Sequence, residues 1–163
     1  MAPAPKPKKA RPKVRKRAEP PDHEHYVFRI TDWEWSFSFG AGFEKDGKHA
    51  DYRHLEVFAE IARPKRYAGR KASLTFLPEI MFNVSRFAQQ EVKHAGFLTV
   101  KPKLMEGLIS MPADALPLIL PMLIAGRFKF AVASCDPMRH RRARIVRFSL
   151  EQDVMDDHLP PEV

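Results

Sequence analysis

Cysteine and long apolar runs are both scarce in this 163-residue chain, which has Cys135 as its single cysteine. One cysteine excludes a disulfide within the chain and a zinc site built mainly from cysteine, and it fits a reducing compartment. The most apolar stretch, residues 111–126, is interrupted by Asp114 and by prolines, so it predicts a buried helix of a soluble domain and no membrane span. No apolar signal segment follows the basic start, and we therefore expect a cytoplasmic protein without a membrane partner.

Acidic residues are absent from the first 18 positions, and this absence locates the net charge. The chain has 28 Lys and Arg against 20 Asp and Glu, a formal net charge of +8. The other 20 basic side chains balance the 20 acidic ones once the tail is set aside, so residues 19–163 are formally neutral. The eight basic residues of the tail are Lys6, Lys8, Lys9, Arg11, Lys13, Arg15, Lys16 and Arg17.

Large apolar side chains are also rare in residues 1–25, which we expect to form a disordered tail rich in Pro, Lys and Arg. Such a segment buries too little apolar surface to offset an ordering entropy of roughly 1–2 kcal/mol per residue. Its charge predicts nonspecific association with nucleic acid or another polyanion, and without an aromatic side chain it cannot stack a base. The clusters KKAR and VRKR also resemble nuclear-import signals, giving a nuclear location if the host or target cell is eukaryotic. A merely solubilising tail is the third interpretation.

Alternating apolar residues predict one β-rich globular domain over residues 26–150, followed by an acidic, flexible end at 151–163. The alternation changes phase at Thr31-Asp32, which predicts a bulge or a break because strand side chains repeat every two residues. About seven short strands and one helix around residues 113–125 favour an α+β fold. We expect a mainly antiparallel sheet, curled or folded into a sandwich, with the helix packed on one face.

Individual residues predict how several elements begin and end. Asp114 is the expected cap of the helix, and Pro117 suits its first turn. Pro121 should kink or shorten the helix, and Gly126 should end it. A strand from residue 72 is expected to stop at Pro78, and residues 79–94 have an ambiguous, partly helical spacing.

An aromatic strand and a turn precede these elements. Asp46-Gly47 is a strong signal for a two-residue hairpin turn. Four aromatic residues upstream of it alternate with polar ones, which predicts that their rings face the core. They are Trp33, Trp35, Phe37 and Phe39.

Two further basic clusters fall inside the domain, one in a hairpin loop at residues 63–71 and one at the start of the last strand. Arginines in a row on a sheet can bind phosphates with bidentate geometry. Ordinary ion pairs or protection of an edge strand explain the same residues, and the neutrality of the domain favours these roles. By strand spacing, Arg142 and Arg144 share one face and Arg147 lies on the other. The weaker nucleic-acid candidates are Arg63, Lys65, Arg66, Arg70, Lys71, Arg139, Arg141, Arg142 and Arg144.

The sequence contains no recognisable catalytic motif, metal-ligand spacing or nucleotide-binding loop, so we expect no catalytic residue, metal or cofactor. The first hypothesis is a non-enzymatic binding or adaptor protein whose tail associates with nucleic acid or another polyanion. The alternative is a protein–protein interaction module with an incidental or targeting tail, which recruits a partner strand at an exposed sheet edge. The third is an enzyme without a recognised motif, centred on Cys135 and His140.

Overall fold

The computed structural model describes residues 23–41, 49–79 and 93–154. In these ranges the chain forms seven strands, one α-helix and one short 3-10 turn at Lys65–Tyr67. Helix α1 spans Leu116–Ile124. The strands are β1 (Glu24–Ala41), β2 (His49–Arg63), β3 (Lys71–Glu79), β4 (Gly96–Val100), β5 (Leu104–Pro112), β6 (Phe130–Cys135) and β7 (Arg142–Glu151).

The sheet closes into a seven-stranded barrel. Its strand order is β1-β2-β3-β5-β4-β7-β6, and β6 pairs back to β1. All neighbours are antiparallel except β3 and β5, which run parallel. The prediction of a mainly β fold with one helix is confirmed. The expected curled sheet or sandwich is replaced by closure, which pairs the two outer strands with each other.

The barrel interior is filled by alternate apolar residues of each strand. In β2, Leu55, Val57, Ala59 and Ile61 are all buried, as the alternation predicts. The largest fully buried side chains come from several strands, and no described charged side chain is buried. The core is therefore apolar within the part of the chain that the structure describes. Its bulkiest members are Tyr26, Phe28, Phe76, Leu55, Ile61 and Leu74.

The phase change in β1 is a bulge, as one of the two predicted alternatives requires. Ile30 pairs with Ala59 and Asp32 with Phe58, so Thr31 is the extra residue. Beyond the bulge, Trp33 and Trp35 pack partly buried against the core.

Phe37 and Phe39 contradict the expectation of a core position, since 60% and 61% of their surfaces are exposed. The reason is that β1 and β2 are longer than their neighbours. β6 pairs with β1 only as far as Arg29, and β3 pairs with β2 only from Leu55 onward. Residues 36–41 and 49–54 therefore form a two-stranded extension beyond the barrel wall, which we name the hairpin arm.

Helix α1 confirms some of the predicted boundary residues and contradicts one. Pro117 lies in its first turn, and Gly126 follows its end with the left-handed φ of +62° that ends many helices. Ala115 occupies the N-cap and no side chain caps the helix, so the predicted role of Asp114 is wrong. Pro121 lies inside the nine-residue helix. Leu116 and Leu123 are buried, but Leu118 and Ile124 are exposed, so the helix is buried on one face only.

Other boundaries differ slightly from the predictions. β3 continues through Pro78, which pairs with Met111 of β5, instead of stopping there. The predicted turn at Asp46-Gly47, the basic tail and residues 80–92 lie outside the described residues. No helix that the structure describes is long and apolar enough to cross a membrane.

Candidate nucleic-acid interface

Strand direction sorts the connecting segments between the two ends of the barrel. β1 is antiparallel to both β2 and β6, so its start lies beside the end of each. The parallel pairing of β3 with β5 places the start of β5 at the same end as the start of β3. One end therefore carries the start of β1, the β2–β3 loop (64–70), the β4–β5 turn (101–103) and the β6–β7 turn (136–141). We name it the basic end.

Lysine and arginine are concentrated at this end. Residues 63–71, 101–103 and 136–144 together contain eleven Lys and Arg and one acidic residue, Asp136. The net charge of the domain is zero, but its charges are unevenly placed, because eleven of its 20 basic residues lie in these three segments. Three of these residues form the ordinary ion pairs that the sequence also predicts: Arg66 with Glu24, Lys101 with Glu106 and Arg144 with Asp136.

The basic tail joins the barrel at the basic end. Glu24, the first residue of β1, pairs with Cys135 at the end of β6. The preceding His23 lies 3.9 Å, Nδ1 to Oδ1, from Asp136. Arg17 is six residues from His23, a separation that extended chain spans in at most about 22 Å. The basic tail is therefore attached to the barrel at the end that carries the three basic turns.

The β6–β7 turn ends in two residues with a left-handed backbone. His140 has φ +49° and Arg141 has φ +65°, and the flanking Arg139 and Arg142 exchange two backbone hydrogen bonds of 2.9 Å. A two-residue hairpin turn with positive φ at both positions is usually Asn-Gly, since other residues are strained there. Such strain is typical of functional sites.

A cleft of about 490 Å³ opens in the outer wall beside this turn. Phe97 of β4 forms one side, with the Arg142 guanidinium 3.9 Å from the centre of its ring. Arg144 Nε donates a hydrogen bond of 2.6 Å to Asp136 Oδ2, and Arg139 lies exposed at the margin. This arrangement offers planar cations to a phosphate group.

A second cleft of about 380 Å³ shares Phe97 and Arg142 with the first but lies over β2, β3 and β5. Its walls include Glu56 and Glu106. Two carboxylates repel a phosphate, so an anionic ligand is favoured on the arginine side only.

The β2–β3 loop is fastened to the barrel by ion pairs and ring contacts. Arg66 forms a 2.5 Å ion pair with Glu24 and lies over the ring of Tyr67, while Tyr26 donates a 2.7 Å hydrogen bond to Glu24. Burial raises the pKa of Glu24, but the hydrogen bonds from Arg66 and Tyr26 and the charge of Arg66 outweigh it and hold that pKa below its ordinary value. Arg66 therefore braces the loop.

Neighbouring turns of the basic end are also linked to each other. Arg70 donates a 2.6 Å hydrogen bond to the Pro102 carbonyl, which ties the β2–β3 loop to the β4–β5 turn. The backbone N–H of Val100 donates to the Arg141 carbonyl at 2.8 Å, which ties the β4–β5 turn to the β6–β7 turn. The three basic turns thus form one continuous surface.

All nine weaker candidates lie at the basic end, and four of them surround the β6–β7 turn: Arg139, Arg141, Arg142 and Arg144. The eight tail candidates lie outside the described residues. Lys101 and Lys103 belong to the same surface but were not predicted, because only the β3–β5 pairing places their turn there. Lys101 pairs with Glu106 at 2.5 Å. The prediction for Arg147 is wrong, since a bulge at Val146 puts it, exposed, on the face that carries Arg142 and Arg144.

Cys135 and His140 do not form a nucleophile pair in this structure. The Cys135 side chain is fully buried, and burial together with the nearby Glu24 and Asp136 raises the pKa of its thiol far above the ordinary value. His140 is exposed at the tip of the turn. Among residues 23–41, 49–79 and 93–154, no group of three His, Cys, Asp or Glu is placed to hold a metal ion.

The structure thus defines a closed β-barrel with one basic end that is joined to a basic tail. The chain matches no protein-family model, no curated protein and no solved structure.

Proposed function

We propose that the protein binds nucleic acid without acting on it chemically, by holding the phosphate backbone between its basic tail and the basic end of the barrel. The observation that supports this is the place of attachment. The tail enters at the end that carries the three basic turns, so two positive segments that are separate in the sequence act on one polyanion.

The strength of such binding depends steeply on salt. If the eight tail charges meet duplex phosphates, the log–log slope approaches about −7, and affinity falls roughly 10⁴-fold between about 50 and 200 mM salt. Each further phosphate contact made by the turns steepens this slope by about 0.9. The two contributions can be measured separately, because the tail and the turns can be altered independently.

A salt titration with a 20-base-pair duplex and with a single strand of equal length tests the proposal. The full-length protein is compared with a variant in which the eight tail Lys and Arg are Ser, and with Arg139→Gln/Arg141→Gln. We expect the tail variant to lose most of the slope and the turn variant to lose up to about 2 units. Arg127→Gln/Lys129→Gln is the matched control, since it removes two exposed charges at the opposite end. Equal binding by all four proteins, or none by the unaltered protein, refutes the proposal.

An adaptor role is the second candidate, and the opposite end of the barrel favours it. Leu118, Met122 and Ile124 of α1 and Phe37 of the hairpin arm are exposed there. Exposed apolar side chains in one region are typical of protein-binding surfaces. Leu118→Ser/Ile124→Ser should abolish a stoichiometric, nuclease-resistant protein complex and leave nucleic-acid affinity unchanged. If such a complex survives the double substitution, α1 is not its binding surface.

A further inference from the structure

The cleft beside the β6–β7 turn contains the planar guanidinium of Arg142, held in a fixed position. Binding that depends on charge alone does not require a cation to be fixed in this way. The Arg142 guanidinium lies 3.9 Å from the centre of the Phe97 ring, at stacking distance. Phe97 is itself held in place, because it pairs with Leu108 of β5 and with Arg144 of β7. The ring of His94 contacts it as well, with the ring centres 4.6 Å apart. One face of the guanidinium is covered by this ring, and the other is directed away from it.

The backbone of Arg142 is equally well fixed. Its N–H donates to the Arg139 carbonyl at 2.9 Å, and its carbonyl accepts from Arg139 in return. The strained residues His140 and Arg141 lie between these two arginines. The fixed backbone and the contact with Phe97 together hold the Arg142 side chain in place before a ligand binds. This lowers the conformational entropy that is lost on binding.

We propose that this cleft binds one unpaired nucleotide of a single-stranded nucleic acid. The base stacks on the outer face of the Arg142 guanidinium, and the adjoining phosphate is bound by Arg139 and Arg144. Asp136 occupies the Nε–H of Arg144 and leaves its remaining N–H donors for that phosphate. The cleft volume of about 490 Å³ lies within the range of small-ligand sites. The proposal rests on the proposed function and names the class of nucleic acid for it.

Stacking makes the site selective. A base within a duplex has both faces covered by its neighbours, so it cannot lie on Arg142 without leaving the stack. Polyphosphate carries similar charge but has no ring to stack. Removing one stacking residue lowers single-strand affinity by about tenfold in other proteins of this kind. The same change has no reason to alter binding of polyphosphate.

The test uses the full-length protein with three ligands: a ten-nucleotide thymidine strand, a ten-base-pair duplex and inorganic polyphosphate. Phe97→Leu keeps apolar bulk but removes the ring, and Arg142→Lys keeps the charge but removes the plane. Arg127→Lys is the matched control, since Arg127 is an exposed arginine at the opposite end of the barrel and does not line the cleft. Affinities are measured at one salt concentration, and the salt slope is measured for each variant.

We expect Phe97→Leu and Arg142→Lys to lower affinity for the thymidine strand about tenfold and to leave polyphosphate affinity and the salt slope within twofold. Phe97→Tyr should restore single-strand binding because it restores the ring. If Phe97→Leu does not fold, the exposed Arg142→Lys decides the matter. Equal losses on all three ligands, or no loss on any, would overturn the nucleotide site while leaving charge-driven binding intact. Failure of the unaltered protein to bind any of the three ligands refutes the proposed function itself.

Discussion

The two ends of the barrel are built from the same seven strands but differ in chemistry. The basic end has short turns that are linked to each other by hydrogen bonds and that carry eleven Lys and Arg in residues 63–71, 101–103 and 136–144. The opposite end has the hairpin arm and α1, with exposed Phe and Leu side chains. A pI of about 9.8 describes neither end, because it averages over both and over the tail.

This difference shows that strand direction determines which connecting segments, and hence which charged and apolar side chains, meet at each end of the barrel. Each strand joins the two ends, so a change to one strand affects both, whereas a change to a turn affects one. Substitutions in strands should therefore alter the whole barrel, and substitutions in turns should alter one end only.

Gly96→Ala should strongly destabilise the barrel, because it disturbs the strand that carries Phe97. A Cβ at Gly96 would lie 2.0 Å from the backbone oxygen of Leu108, and the residue has φ +155°. The backbone must shift to accept it, at a cost of about 3 kcal/mol. We expect the midpoint of urea unfolding to fall accordingly.

Gly126→Ala is the matched control for this prediction. Gly126 also has a positive φ, +62°, but nothing lies within 4 Å of the added Cβ. It should cost about 1 kcal/mol, from backbone conformation alone. Similar midpoints for the two variants would show that the close approach of β4 to β5 is not rigid.

The two faces of α1 should differ in their response to truncation. Leu123→Ala removes a buried side chain from the core and should lower the free energy of unfolding by about 2–5 kcal/mol. Leu118→Ala, on the exposed face, should change it by less than about 0.5 kcal/mol. Thermal and urea unfolding of the two variants measures this. A large loss from Leu118→Ala would mean that the exposed face of α1 is covered in solution.

His140 and Arg141, at the tip of the β6–β7 turn, should lower the stability of the barrel and raise its affinity for nucleic acid. His140→Asn/Arg141→Gly supplies the residues that positive φ favours and should raise the free energy of unfolding by about 1 kcal/mol. The same change removes one cation from the basic end and should reduce nucleic-acid affinity several-fold at low salt. If the variant is less stable than the unaltered protein, His140 and Arg141 are not strained. Their positive φ angles would then give no support for a role in binding.

Local periodicity predicted much of the strand content, because side-chain alternation is a property of a few adjacent residues. It located the bulge at Thr31 for the same reason. It could not show that β1 extends past its neighbour. Phe37 was expected in the core because its alternation matches that of Trp33 and Trp35. The sequence pattern of a strand shows which residues share a face, but it does not show where the neighbouring strands end.

The candidate site depended on non-local pairing to a greater degree. The basic clusters were visible in the sequence, but their convergence required the β1–β6 closure and the parallel β3–β5 pair. The stacked pair of Phe97 and Arg142 joins residues 45 positions apart, and no local pattern connects them. The bulge at Val146, which turns Arg147 to the outer face, breaks a strand whose alternation looked regular.

Acid should weaken the basic end through two groups near the start of β1. Burial and the neighbouring His23 lower the pKa of His25 below its ordinary value of 6.5, and Glu24 has its pKa held below 4.5. For both, the unfolded chain binds the proton more readily than the folded one. Stability should therefore fall as the pH drops below about 6.5 through His25, and again below 4.5 as Glu24 approaches its folded pKa.

Glu24→Gln separates the second step from the first. Glu24 accepts hydrogen bonds from Arg66 and Tyr26, so its contribution is to fasten the β2–β3 loop to β1. The variant should lose only about 0.5–1 kcal/mol at pH 7, because solvent screens this partly exposed pair. Below pH 4.5 its unfolding midpoint in urea should converge with that of the unaltered protein, since the unaltered protein then loses the same interaction. If the urea midpoints of the two proteins differ by the same amount down to pH 3, the acid sensitivity arises from other residues. The Arg66–Glu24 pair would then make no measurable contribution to the free energy of unfolding.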